Sequence, residues 1–429
     1  MSEDNTSVFN LGISNNLDLF KVPIEQIGVD QTFYVEHKPI TPLSNENAPM
    51  TFYIGESGNF MNLRKCRLRL KVKLVREDSS SLEDKEQVSL VNAPLHALYS
   101  QVSCKIQGIS VSNNDNLHPY RGYLKTLLNT SKEAKESHLT AELFKMDTGA
   151  FSTDVTSSLG MLFRGARLAK SQSCQIEGYL QDDIFSCDRL LLSNVNMELK
   201  FYRARPEFYI QTNTDFKYKL LIEDATFLAC MCNLSPEVSF GISEGLQHSK
   251  ALYPFTRTQI LAFSIPSGAR SFDFTNLFGN HLPSKLFCFF VKSSSLIGDF
   301  KTNPLYFEAA GLRDIHLSVD GIPMPAGGMR VEEFTSTGSM NSIPYMYLFD
   351  AITDGNLQSF GNSLDSELFS TGFSIYAFTT AAISRNRKHG NIRISGSFSD
   401  PLSEAMSLLI YGEYPAVLSI DASRNVYLE

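Results

Sequence analysis

Alternation of apolar and polar positions dominates the chain from Gln31 onward. It is clearest in Asn62–Arg76, where Cys66, Leu68, Leu70, Val72 and Leu74 share one face. Arg67, Arg69, Lys71 and Lys73 share the other, because successive side chains of a strand point to opposite sides. Period-two patterning also predicts strands at Thr32–Glu36 and Met50–Ile54, within Leu95–Ile109, and at Cys174–Leu180 and Met197–Tyr202. Beyond these it predicts Phe216–Cys232, Thr258–Ile265, Lys285–Val291, Asp314–Ile322, Gly372–Phe378, Asn391–Phe398 and Ala405–Tyr411. Helical spacing is clear once, after Pro119, where Tyr120, Tyr123, Leu124, Leu127 and Leu128 recur. Ser131–Phe144 carries a weaker helical pattern. Glu77–Gln87 is a charged, Ser-rich loop, and residues 1–20 read as a flexible polar arm. Many strands, few helices and frequent Gly and Pro predict an all-β fold of sandwiches or jelly rolls.

The pattern also repeats. Val102-Ser-Cys104-Lys-Ile106-Gln107-Gly108-Ile109 echoes Ile315-His-Leu317-Ser-Val319-Asp320-Gly321-Ile322, with the two glycines 213 positions apart. Four more pairs follow in the same order. Phe52–Ile54 pairs with Phe263–Ile265, and Pro119-Tyr120 with Pro344-Tyr345. Cys174–Gly178 pairs with Ile392–Gly396, and Met197–Phe201 with Leu408–Gly412. Alternating strands resemble one another, so single pairs mean little; their order points to a duplicated domain. The expected division is an arm over 1–20, a first jelly roll over 21–212 and a second over 213–429. Phe216–Cys232 would open the second half.

Length and composition fit two sandwiches. The chain has 429 residues, 43% of them hydrophobic, with 31 Phe and no Trp. A net charge of −8 argues against gripping nucleic acid as the main task. Met1–Asn10 does not read as a signal peptide, and apolar runs such as Leu286–Val291 are too short to span a bilayer. Seven scattered cysteines then point to a reducing compartment with buried free thiols. The Asn5, Asn129 and Asn233 sequons carry no meaning there.

The search for chemistry finds no P-loop, no nucleophile elbow, no H-E-x-x-H and no C-x-x-C pair. No catalytic, cofactor-binding or metal-binding residue is assigned. Cys230 and Cys232 sit at alternate strand positions and read as core. His96 and His118 flank the first hairpin and read as core or surface. Asp182-Asp183 resembles half of a carboxylate pair for acid–base work, but reads better as a solvated turn. The stripe Arg67, Arg69, Lys71, Lys73 has three readings: a surface touching packaged nucleic acid, a subunit contact, or the solvated face of a strand. Arg385-Asn-Arg387-Lys388 reads as an exposed loop or a weak nuclear localisation signal.

One stretch is more specific than the rest: Pro119-Tyr-Arg-Gly-Tyr-Leu-Lys-Thr-Leu-Leu-Asn129, followed by Lys132-Glu-Ala-Lys-Glu-Ser137. It resembles the P-Y-R-x-Y-L-x-x-L-L-N and K-x-A-K-E-S segments of the major capsid proteins of Polinton/Maverick elements and adintoviruses. Tyr253-Pro254 with Arg257, Val319-Asp320-Gly321, Gly372 through Tyr376-Ala-Phe378, and Arg424-Asn425-Val426 follow in the family's order. The resemblance runs from about Leu19 to the end. It departs at Ala229-Cys-Met-Cys232, where family members often carry a basic residue.

The resemblance implies a double jelly roll in which two eight-stranded sandwiches stand side by side. Three chains would form a hexon-like, pseudo-hexagonal capsomer, and capsomers would tile an icosahedral shell around double-stranded DNA. Implied partners are identical subunits, a single-jelly-roll penton protein and minor capsid proteins, with DNA contacted at most indirectly. The implied location is the virion. The turn-and-helix regions after Gly108 and Gly321 would then be candidates for trimer or tower contacts. Two other classes compete: a double-jelly-roll glycan-processing enzyme, which needs acidic residues converging in a cleft, and a lectin-like attachment protein. Fold alone does not separate them.

Overall fold

The computed structural model describes residues 26–44, 47–331, 342–353, 361–380 and 388–428. The expected arm over 1–20 and the cations Arg385 and Arg387 lie outside these residues. The first half supplies β1 (Val29–His37), β2 (Met50–Ile54), β3 (Phe60–Met61), β4 (Arg67–Arg76), β5 (Val88–Leu90) and β6 (Tyr99–Ile106). It continues with β7 (Ile109–Ser110), β8 (Cys174–Tyr179), β9 (Met197–Arg203), β10 (Ile210–Thr212) and β11 (Tyr218–Leu234). The second half holds β12 (Ala251–Ile265), β13 (Ser271–Phe274), β14 (Lys285–Lys292), β15 (Leu312–Val319) and β16 (Ile322–Arg330). After these come β17 (Tyr376–Thr379), β18 (Ile392–Phe398), β19 (Met406–Ile420) and β20 (Val426–Leu428).

Sheet order gives the fold. One sheet runs β1-β11-β4-β8 and faces β2-β9-β6-β7; a second pair runs β12-β19-β14-β17 and β13-β18-β15-β16. Counted in chain order, the two sets are wired identically. Each is an eight-stranded jelly roll with only antiparallel pairing between its strands. The Gly108 and Gly321 echo marks equivalent hairpins, β6–β7 and β15–β16. Both turn residues have positive φ in each: Gln107 (48°) and Gly108 (79°), Asp320 (50°) and Gly321 (81°). That is the two-residue turn whose twist matches the flanking strands, and its second position favours Gly. The hairpins close with Ile106 opposite Ile109 and Val319 opposite Ile322.

Two sequence expectations need correction. Phe216–Cys232 does not open the second half. As β11 it lies between β1 and β4, so a division after residue 212 cuts it from its own sheet. Three of the five repeat pairs are also one strand out of step. Phe52–Ile54 is β2, whose counterpart is β13, yet Phe263–Ile265 ends β12. Likewise β8 answers to β17 rather than β18, and β9 to β18 rather than β19. The hairpin pair holds, and so does the helix pair, since helices His118–Asn129 and Ser342–Thr353 each follow the hairpin of their half.

The cores explain how the halves join. Leu68, Leu70, Val72 and Leu74 of β4 point into the first sandwich, opposite the charged face. By contrast, β14 is apolar on both sides. Leu286, Cys288 and Phe290 fill the second sandwich, while Phe287, Phe289 and Val291 join the core shared with the first half. A strand covered on both faces reads as a continuous apolar run, which is what Leu286–Val291 is.

Candidate functional site: the junction between the sandwiches

Helix His118–Asn129 is the centre of this junction. Pro119 sits in its first turn, and every residue except Lys125 and Asn129 is buried. Tyr120 packs its ring 5.9 Å from Phe208 of the first half and 5.9 Å from Phe289 of β14. Tyr123 packs 6.4 Å from Phe144 and 5.9 Å from Phe307. The helix is therefore apolar on faces turned to both halves. Burial of each ring contributes about 2 kcal/mol, offset in part by hydroxyls buried without a hydrogen-bond partner. Gly122 permits the close approach: a Cβ there would lie 2.6 Å from the His96 ring.

The helix's cations form the polar part. Lys125 Nζ donates to Asp183 Oδ1 at 2.6 Å and to the Gln181 carbonyl at 3.1 Å. Asp183 also accepts from the Thr258 amide at 2.7 Å and the Thr258 hydroxyl at 2.8 Å. Arg121 Nε donates to Thr258 Oγ1 at 2.8 Å, and its Nη2 pairs with Asp115. Arg257 donates twice to Asn113 Oδ1, at 3.0 and 2.8 Å, while Asn113 Nδ2 donates to the Thr258 carbonyl. Thr258 and Arg257 belong to β12, so loops and helix of the first half clamp one strand of the second. The link continues at Tyr253, whose hydroxyl accepts from the Leu192 amide at 3.2 Å, and at Arg424, which donates to the Ser193 carbonyl at 2.9 Å.

Asp182-Asp183 is thus not a solvated turn. Both residues are buried. The partners that hold Asp183 are 58 and 75 residues away, beyond the reach of local sequence reading. Asp182 finds no hydrogen-bond partner for its side chain, and burial together with the Asp183 charge pushes its carboxyl well above the usual range. His96 and His118 are buried with ring centroids 5.7 Å apart. Burial and the Lys125 charge push His96 down to about 4, and burial with the His96 and Arg121 charges holds His118 well below the usual imidazole range, so both rings are neutral near pH 7. The arrangement fixes the two halves; it does not poise an acid and a base at a shared substrate position.

The segment after the helix is held the same way. Lys135 is buried and donates to the Leu127 carbonyl at 2.6 Å, satisfying one of the carbonyls left open at a helix end. Burial lowers its ammonium to about 7. The helix is accordingly unavailable for trimer or tower contacts, contrary to the sequence expectation. Its counterpart Ser342–Thr353 is less covered, with Met346 52% exposed.

The basic stripe on β4 is paired. Arg67 and Arg69 reach Glu177 of β8 at 2.7 and 2.6 Å, Arg69 also reaches Glu36 of β1 at 3.0 Å, and Lys71 reaches Glu223 of β11 at 3.3 Å. The Ser173 hydroxyl, with Lys71 and the nearby Lys73 charge, holds the Glu223 carboxyl below the usual range. Such half-exposed pairs contribute at most about 1 kcal/mol each. Their carboxylates offset the positive charge that packaged nucleic acid would need. Cys230 and Cys232 are buried free thiols. Among the described residues, no group of three or more potential ligands is placed to hold a metal, and no helix is long and apolar enough to cross a membrane. Lys388, the described end of the 385–388 cluster, is exposed.

Glu142 was not flagged by its sequence. It is buried beneath Gly178 of β8 beside Leu95, with no partner for either carboxyl oxygen, and burial pushes it up to about 8. In the unfolded chain it ionises near 4.5, so the unfolded state loses its proton first as pH rises. The contribution of this group to stability is full below pH 4.5 and is lost as pH climbs toward 8. Glu142→Gln is expected to flatten that loss. Thermal unfolding at pH 5 and pH 8 should show the parent falling further than the variant, by about 3–4 kcal/mol. Parallel falls in both proteins would contradict the assignment.

No family model matches the chain. An uncharacterized protein of Caenorhabditis elegans, F54H12.2, is 24% identical over 399 residues, spanning 88% of this chain and 92% of its own length. Among solved structures, the mavirus major capsid protein aligns with a TM-score of 0.54 and 11% identity, covering all of this chain and 96% of that one. A chain of the Sputnik virophage aligns with a TM-score of 0.57 and 10% identity, covering all of this chain and 94% of that one. At such identities the likeness is one of fold, and it matches the wiring described above.

Proposed function

We propose that this chain is a major capsid protein of the Polinton/Maverick or adintovirus kind. It acts as a structural subunit whose trimers form pseudo-hexameric capsomers, and these tile an icosahedral shell around double-stranded DNA. The observation that carries this reading is the identical wiring of two jelly rolls fixed together by a buried junction. Three such chains offer six similar sides, which turns threefold symmetry into a near-sixfold lattice unit. Modest contacts repeated over many capsomers then hold a shell. The fold-level neighbours with capsid proteins among them support it, and so does a relative in an animal, which suits an element carried in animal genomes.

Position of the motifs supports it further. The stretches resembling the element-encoded family fall largely at the junction: Pro119–Asn129, Tyr253 with Arg257, and Arg424. On this reading they are the residues that make two sandwiches one rigid unit. The first jelly roll would end with β11 at Leu234 and the second begin with β12 at Ala251. Self-association comes first, with a single-jelly-roll penton protein and minor capsid proteins joining the lattice, and the virion as the final location. An enzyme reading would need acidic groups in an open cleft between the domains; here Asp183 is engaged by Lys125 and Thr258. Negative-stain microscopy of the expressed chain, alone and with a penton protein, is expected to show pseudo-hexagonal particles and shells. Isolated two-lobed monomers in every condition would count against the proposal.

A further inference from the structure

Within the chain the two halves meet through a different surface of each. The first half contributes helix His118–Asn129, whose Tyr120 packs on Phe289 of β14 and whose Arg121 reaches Thr258 of β12. The second half contributes the outer face of its β12-β19-β14-β17 sheet, where Phe287 and Tyr411 pack with ring centroids 5.8 Å apart. Because the halves are wired alike, each also carries the counterpart of the surface that the other one uses. In the second half this is helix Ser342–Thr353. In the first it is the outer face of the β1-β11-β4-β8 sheet, which bears the basic stripe.

Both counterparts keep an open side, and the two sides match. Pro344, Leu348 and Ala351 bury one side of the helix. Met346, Phe349 and Asp350 share the other, with Met346 and Asp350 exposed and Phe349 half-buried. A helix with apolar residues on opposite sides calls for cover on both. Asp365 and Glu367 add exposed negative charge where the next helix, Ser366–Ser370, packs Phe369 on Tyr345 at 5.7 Å. On the sheet, Arg67 holds its guanidinium 4.5 Å from the ring of the exposed Tyr34 and lies opposite the exposed Tyr179. Lys71 and Lys73 share the charge of Glu223, so the stripe keeps a positive excess. Tyr, Met and Arg are the side chains that interface centres favour, and the charges are of opposite sign. We propose that helix Ser342–Thr353 of one copy docks on the outer face of the β1-β11-β4-β8 sheet of the next, repeating between chains the contact that joins the halves within one. The proposal rests on the capsomer reading and names the surfaces that close the trimer. Such a head-to-tail contact closes as a ring.

Two variants of the full chain test it. One carries Met346→Lys with Asp350→Lys on the helix, the other Lys71→Glu with Lys73→Glu on the sheet. Size-exclusion chromatography with light scattering should read three chains for the parent and one for each variant, because like charges then meet across the contact. Mixing the two variants should give particles of two chains, since each supplies the surface that the other has lost. That recovery, with matching far-UV circular dichroism, also shows that both variants fold. Trimers that persist in either variant, or a mixture that stays at one chain, would overturn the assignment and leave the capsomer reading standing. A parent that reads one chain throughout would remove the trimer itself, and this contact with it.

Discussion

Asp183→Ala is expected to destabilise the protein by about 3–5 kcal/mol, the range for breaking a buried pair and stranding its partner. The Asp183 carboxylate is only 1% exposed and receives three donors, from Lys125 and from the amide and hydroxyl of Thr258. Alanine would leave the Lys125 ammonium with the Gln181 carbonyl alone and a buried amide with nothing, a loss of about 1–3 kcal/mol for the amide by itself. Denaturant unfolding measures the total. Hydrogen exchange adds a local signature: amides of β12 should lose protection first, because Thr258 is where the first half holds that strand. The adjacent Asp182→Asn provides the contrast. Asp182 is buried without a side-chain partner and its carboxyl is raised from 3.8 to about 7, so its contribution to stability is full below about pH 4 and lost as pH climbs to 7; the amide should change stability little near pH 4 and raise it from neutrality upward. Equal losses for the two neighbours would show that the clamp is misassigned.

The second large effect lies at Arg164, in the helix Leu159–Leu168. Its guanidinium is fully buried and holds Asp147 through two bonds of 2.7 and 2.9 Å. It also donates to the carbonyls of Leu90 at 2.7 Å and Lys145 at 3.1 Å, while Asp147 accepts from Ser158 at 2.8 Å. Nη2 reaches both Asp147 oxygens while Nε and Nη1 of the same planar group bond the two carbonyls, a spread of donors that lysine cannot supply. The network ties the long insertion between β7 and β8 to β5. Arg164→Met should cost about 3–5 kcal/mol, and so should Asp147→Leu. The double variant should cost much less than their sum, because neither charge is then stranded. Urea denaturation of the three proteins gives the coupling directly. Additive losses would mean that the pair does not act as one unit.

The strands were legible because burial on one side writes itself as alternation, as in Leu68 to Leu74. What the alternation could not give was the sheet partner. β11 looks the same whether it opens one half or closes the other, and three of the repeat pairs slipped by one strand for the same reason. Helix Leu159–Leu168 was hidden in a Gly- and Ser-rich stretch, and helix Pro236–His248 buries too little to show a strong apolar face. The junction was half visible. Its helix stood out through Tyr120, Tyr123 and Leu127, but the roles of Asp183 and Thr258 depend on a contact across 75 residues. The β4 stripe was visible as charge, whereas its partners Glu36, Glu177 and Glu223 sit on three other strands.

On the proposed reading, two like-wired jelly rolls in one chain let three chains present six similar sides. The most direct test is the mass of the purified protein in solution, by size-exclusion chromatography with light scattering across salt and pH. The expected result is a particle of three times the 47.9 kDa chain mass, with larger assemblies at suitable ionic strength. A mass of one chain under every condition would contradict it.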